Sequence, residues 1–251
     1  MEDIQKLIKD LEAEGGRAIA NPKTMQELRE LGIDIPDGSQ IIPWNEYLDS
    51  VFSEDNKKKA KERLQRLPEL PNIPVPAVTS IYKEILKNIA LGLNGTAITL
   101  SCVLVEYMLK FSAYKVEMGG FKRYDSAKLD EFEKLEFGDA VGRATKNGLL
   151  SKQEKKELHE FRDKIRNPYL HYNLKKITSK IYIKGLKTLN TKTGEVEIKD
   201  VRAEDDPVIQ AQAKPFADEN QINEVFSFAN KIVHSLWAKI EHLQYVPKID
   251  G

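Results

Sequence analysis

The sequence predicts a mostly α-helical protein: a four- or five-helix up-and-down bundle with a small inserted β-hairpin and an N-terminal helical appendage. Three observations predict it. Apolar residues recur at helical spacing beyond residue 76, most regularly in the stripe Ile222, Val225, Phe226, Ala229, Ile232, Val233, Leu236, Ile240 and Leu243. The period changes to two only between Ile181 and Ile198. Pro68, Pro71, Pro74 and Pro76 fall within nine residues, a stretch that no continuing helix can cross. The chain therefore reads as residues 1–73, a helical appendage with a Pro-rich linker, and residues 74–251, a bundle with its hairpin at about 180–200.

The elements follow in order. Ile4, Leu7, Ile8 and Leu11 share one face of a short helix that Gly15-Gly16 ends, and a second short helix covers Thr24 to Leu31. After the turn-rich segment Ile35 to Ser39, a longer charged helix runs from Trp44 to Leu67. Val78, Ile81, Tyr82, Ile85 and Ile89 then define a helical face, and Gly92-Leu93-Asn94-Gly95 turns the chain into the next helix. Thr96 to Tyr114 is apolar nearly all round, as the central helix of a bundle should be. Its Glu106 is either exposed at an edge or paired, and Arg162 or Arg166 is a plausible partner, because an unpaired buried carboxylate costs several kcal/mol. The loop Gly119 to Tyr124 mixes aromatic and basic residues and reads as a connection or as a base-stacking loop.

Phe137 to Lys146 forms a further helix closed by Gly148, and Asp130, Glu131, Glu133 and Glu136 before it read as a solvated face. Ser151 and Glu154 have the spacing of a capping box and open a helix whose apolar side is Leu150, Leu158, Phe161, Ile165, Leu170 and Leu174. The hairpin turns around Asn190 to Gly194, and the last helix covers Asn220 to Gln244, with Trp237 in the core or at a dimer interface.

Composition excludes several function classes. The 39 basic and 39 acidic side chains of this 251-residue chain cancel, so no global field draws it to nucleic acid or membrane. Cys102 is the single cysteine, which excludes an intramolecular disulfide and a multi-cysteine zinc site and fits a reducing cytoplasm. On an apolar helix it reads as an inert core thiol. Met1 to Asp10 lacks the basic start and apolar run of a signal peptide. The longest apolar stretch, Thr96 to Phe111, is shorter than the roughly 20 residues of a membrane span, so a buried helix and no membrane partner are expected. His159, His171, His234 and His242 lack metal-site spacing and there is no Gly-rich phosphate loop, so no metal or cofactor is expected.

Local charge is uneven. From Arg143 to Lys187 thirteen basic residues face four acidic ones, and from Glu195 to Glu224 nine acidic residues face three basic ones. This is either a phosphate-binding face shielded by an acidic segment, or a solvated helix followed by a solvated loop. Within the basic segment, Arg166-Asn167-Pro168-Tyr169-Leu170-His171 joins a fixed cation, an amide and an imidazole. Arg neutralises phosphate and His moves a proton near neutral pH, so the set suits phosphodiester chemistry. Arg162, Lys164, Tyr169, Lys175 and Lys176 are candidate substrate contacts, and Glu106 is a candidate support. On one ideal helix Arg166 and His171 lie about 140° apart around the axis. Pro168 predicts a kink or break there, with Asn167 as a new N-cap and free amides beside Arg166 able to help hold an anion.

At these residues the chain resembles the HEPN superfamily, helical bundles marked by Arg, a polar residue, a few positions and then His on the third main helix. The resemblance extends over Val78 to Leu243. It takes in the Glu-bearing second helix, the lead-in Gly148-Leu149-Leu150-Ser151-Lys152 and the helix ending Phe161-Arg162-Asp163-Lys164-Ile165-Arg166-Asn167. It implies a metal-independent endoribonuclease, a toxin or defence effector, working as a homodimer with two motifs facing each other. His171 would then be the general acid or base, Arg166 would stabilise phosphoryl charge and Asn167 would orient His171 or the phosphate. It equally admits a non-catalytic module that binds RNA, a nucleotide or a partner protein. Pro168, the hairpin and the segment before Pro68 depart from the family pattern, and the appendage is where a protein partner could dock.

Overall fold

The computed structural model describes residue 49 and residues 51–189 and 196–245. The expected helices before Trp44 and the hairpin turn at 190–194 lie outside the described residues. The chain divides into two units, Met1–Glu62 and Arg63–Gly251. Most of helix α1 (Glu54–Gln65) falls in the first, with no buried residue and exposed ion pairs from Lys57 to Glu54 and from Lys59 to Asp55.

The second unit is mostly helical with one two-stranded antiparallel sheet. The Pro-rich stretch is anchored to it: Arg63 donates to the carbonyl of Ala90 at 3.1 Å, Asn230 donates to the carbonyl of Glu69 at 3.0 Å, and Ile73 and Val75 are buried. Pro76 opens α2 (Pro76–Ala90), where its missing N–H costs no intrahelical bond. Gly92, at φ +74°, lets the chain turn sharply into α3 (Asn94–Met118).

Helix α3 is the centre of the bundle. Eleven of its 25 residues are buried, and α2, α5 (Phe137–Lys146) and α9 (Pro207–Ile240) pack around it. By length and composition it is the one helix among the described residues that could cross a membrane, but 56% of its most apolar window is buried inside the bundle. Cys102 is fully buried on it, and burial pushes its thiol up to about 12, as expected of an unreactive core thiol. Phe121 points inward from the Gly119–Tyr124 loop, edge-on to both Phe111 and Trp237, so it is core; Tyr124 beside it is exposed. Trp237 is buried in the same cluster.

Two elements differ from expectation. A helix, α4 (Ser126–Glu133), occupies the acidic stretch, capped by Asp125, whose side chain accepts from the N–H of Lys128 at 3.0 Å. The last helix, α9, starts at Pro207, thirteen residues before the expected Asn220, so much of the acidic segment is helix instead of loop. Asp206 caps it, accepting from Val208 and Ile209, and Ile209, Ala213 and Ala217 bury the added turns at four-residue spacing. Pro215 is accommodated inside it. Strands β1 (Tyr182–Leu189) and β2 (Val196–Arg202) pair as expected, with Ile183, Leu186 and Val201 packed on Ala203, Ile209 and Ala213.

Candidate functional site

The candidate site lies on a composite helix. Helix α6 (Lys152–Phe161) opens with the expected capping box: Ser151 Oγ accepts from the N–H of Glu154 at 3.1 Å, and Glu154 accepts from the N–H of Ser151 at 2.8 Å. Glu154 also accepts from Ser235 Oγ at 2.6 Å and Lys239 Nζ at 3.1 Å, which fastens this helix start to α9. Burial opposes the charge, but the bonds from Ser235, Ser151 and Lys239 outweigh it and pull the Glu154 carboxyl down to about 2.

The helix does not break at Pro168. Arg162–Arg166 forms a turn of π-helix, with the N–H of Asn167 donating to the carbonyl of Arg162, and α7 (Asn167–Leu170) continues in helical geometry. Asn167 is therefore not an N-cap, and the expected free amide is occupied. The cause is local: a π turn moves the bonding one residue back, away from the carbonyl of Lys164 that the Pro168 ring would strike. Helix α7 ends in a Schellman arrangement, with the N–H of Asn173 donating to the carbonyl of Pro168 at 2.8 Å and that of Tyr172 to Tyr169 at 3.3 Å. Tyr172 takes the left-handed position at φ +49°, where glycine is usual. Asn173 then caps α8 (Leu174–Ile177).

Arg166 faces inward. Its Nε and Nη2 donate to Glu106 Oε2 at 3.0 and 2.6 Å, its Nη1 donates to Asn167 Oδ1 at 3.1 Å, and its guanidinium lies 5.1 Å over the Phe137 ring. Lys110 binds the same carboxylate from one turn along α3 at 2.8 Å. Burial would raise the Glu106 pKa, but hydrogen bonds from Lys110 and Arg166 hold it below its ordinary value. Two cations share one carboxylate, so the cluster carries one net positive charge. Three guanidinium N–H groups of five are used, leaving two. Of the two readings the sequence leaves for Glu106, exposed or paired, the structure shows the paired one, with Arg166 and not Arg162; Lys110 and Phe137 complete the cluster without a signal in the sequence.

His171 is exposed at the end of α7, and its side chain has no hydrogen-bond or ion-pair partner among the described residues. It is not joined to Arg166, as the helical spacing implies. The other candidates separate. Arg162 pairs with its neighbour Asp163 at 2.8 Å, and Lys164 with Glu160 at 3.0 Å, while Lys175 and Lys176 are exposed. Tyr169 is not at a substrate face: it is buried, its hydroxyl donates to Asp218 Oδ1 at 2.8 Å, and burial first and then Asp218 push its pKa up strongly. Lys214 pairs with Asp218 at 2.5 Å and lies 5.5 Å from the rings of Tyr169 and Tyr172. This Tyr169–Asp218–Lys214 group ties the residues beside His171 to α9. It spans 49 positions in sequence, and nothing in the local pattern announces it.

Among the described residues no three His, Cys, Asp or Glu side chains converge as a metal site. The chain matches no family model, no curated protein and no solved structure.

Proposed function

We propose that residues 74–251 form an HEPN-type bundle and that the protein is a metal-independent endoribonuclease, a toxin or defence effector, acting as a homodimer. The observation that carries this is His171: an exposed imidazole, without a partner among the described residues, on a helix end fixed by the Tyr169–Asp218 bond and one turn beyond a cation held in place by Glu106. Such an imidazole is free to take the proton of a ribose 2′-OH. The 2′ oxygen then attacks phosphorus, the P–O5′ bond breaks, and the proton from a second imidazole goes to O5′. The products are a 2′,3′-cyclic phosphate and a 5′-hydroxyl, and DNA, lacking the 2′-OH, stays intact.

The two unused N–H groups of Arg166 and its net positive cluster would meet the charge on the phosphoryl oxygens, and Asn167 would hold that guanidinium. Because Arg166 and His171 diverge on one helix, pairing two copies supplies the second imidazole and brings one chain's His171 toward the other's Arg166. The appendage before Pro68 is left for a partner protein. A second reading has one observation in its favour. Arg166 is only 17% exposed and largely occupied, as a purely structural arginine would be, and the bundle would then bind RNA, a nucleotide or a protein without cutting. Incubation of the protein and its His171→Ala variant with labelled RNA and chelator separates the two: only the first reading expects cutting, and expects the variant to lose it.

A further inference from the structure

The β-hairpin has an outer face that the site above does not use. Along β1 the alternation places Ile183 inward and Tyr182 and Lys184 outward, and in the turn just before the strand Ile181 packs inward while Lys180, like Tyr182 and Lys184, is exposed. Tyr182 stands opposite Arg202 on β2, whose side chain is 68% exposed. The ring is 51% exposed yet not free to turn away, because its hydroxyl donates to Asp200 Oδ2 at 2.9 Å. Asp200 Oδ1 accepts from the N–H of Gly185 at 2.8 Å. Gly185, at φ +65°, sits where the register shifts between Ile183 and Leu186, a bulge that only glycine makes without strain.

The outcome is an exposed, oriented aromatic ring with one cation two residues on along its strand, another two residues before it in the preceding turn, and a third across from it. Among the described residues two acids lie by this face: Asp200, both of whose oxygens are engaged, and Glu204, 3.8 Å from Arg202. Lys180 and Lys184 have no partner among the described residues, in contrast to Lys110, Lys214 and Lys239. The base of the hairpin is fixed: the N–H of Ile181 donates to Thr178 and the N–H of Ala203 to Ile181. Thr178 directly follows α8, which joins this face to the helix end that carries His171.

We propose that this outer face is a platform for single-stranded nucleic acid, with Tyr182 stacking a base and Lys180, Lys184 and Arg202 contacting phosphates. An aromatic face with flanking cations fits an unpaired base and its neighbouring phosphates; a duplex, whose bases are stacked on each other, offers the ring nothing. The inference rests on the ribonuclease reading only in that the platform would lead a strand toward His171; binding by the hairpin stands without it.

The test is fluorescence anisotropy with labelled 12-nucleotide RNA, the matching single-stranded DNA and the duplex RNA, in chelator, using the His171→Ala protein so that no strand is cut. Both single strands should bind, the tighter one naming the source, and the duplex at least tenfold more weakly. Adding Tyr182→Ala should weaken single-strand binding about tenfold or more, while Tyr182→Phe, which keeps the ring, should lose much less. Lys180→Gln with Lys184→Gln touches no intramolecular partner, and should lower the slope of log affinity against log salt by about 1.4, at roughly 0.7 per phosphate contact. Absence of binding, equal binding of the duplex, or a Tyr182→Ala affinity and double-lysine salt slope equal to those of the parent would overturn the proposal. The two readings fail separately: cutting by the wild type that the hairpin variants leave unchanged removes the platform and keeps the nuclease, and binding without cutting does the reverse.

Discussion

Replacing Glu106 with Gln keeps the shape of the side chain and removes the charge that holds Arg166. In the structure that carboxylate is 20% exposed and the Arg166 side chain 17%, with Lys110 as second cation at 18%. Breaking a fully buried pair costs about 3–5 kcal/mol and an exposed one at most about 1, so a pair at this depth should cost about 2–3 kcal/mol. For a domain of this size roughly 2–4 °C of Tm accompany each kcal/mol, which predicts a fall of about 4–12 °C at pH 7. Circular-dichroism melts of wild type, Glu106→Gln and, as an exposed control, Lys164→Gln measure it; the control is an i,i+4 pair, 71% and 49% exposed and worth at most about 0.5 kcal/mol, and should shift by about 2 °C or less. Because the Glu106 pKa is lowered in the fold, its contribution is full above the ordinary carboxyl pKa and disappears as pH falls through the lowered value. The gap between wild type and Glu106→Gln should therefore close in acid. A Glu106→Gln melt indistinguishable from that of Lys164→Gln, or a gap that widens in acid, refutes the reasoning.

Other outcomes follow from the same geometry. Glu154 titrates near 2 against an ordinary 4.5, so its stabilisation is complete above 4.5 and lost on the way to about 2; over that window the wild-type Tm should fall more steeply than that of Glu154→Gln. Tyr169→Phe removes a buried bond to a charged acceptor and should cost about 1.5–3 kcal/mol by urea unfolding, most of it absent when Asp218→Asn is already in place. Tyr172→Gly relieves a left-handed backbone and should stabilise by about 1 kcal/mol relative to Tyr172→Ala, with unfolding midpoints as the readout.

Most of the helical bundle can be read along the chain because its signals are local. The Ser151–Glu154 box, the Gly92 turn and the apolar face of α2 are matters of spacing over a few residues, and the structure has each of them. The early start of α9 was hidden because Pro215 and a run of acids interrupt the pattern, although Ile209, Ala213 and Ala217 keep helical spacing beneath them. Pro168 misled for a different reason: sequence marks the conflict with a continuing helix but not which way the backbone resolves it, and a π turn upstream is as good a solution as a break. In the site, the cost of an unpaired charge on an apolar helix marks Glu106 as exposed or paired, and the fold decides for pairing with Arg166. The burial of Tyr169 does not, since it depends on Asp218 and Lys214 arriving from a helix 49 positions away.

The most direct measurement for the nuclease reading is cleavage of labelled single-stranded RNA, tRNA and matched DNA by the protein and by His171→Ala in the presence of a metal chelator, with the ends of any fragments identified. On that reading, RNA-only cutting that leaves 2′,3′-cyclic phosphate and 5′-hydroxyl ends is expected, abolished in the variant while its melting curve is unchanged. Cutting that survives His171→Ala, cutting of DNA, or intact RNA with both proteins contradicts it, and the last result leaves the bundle as a binding module.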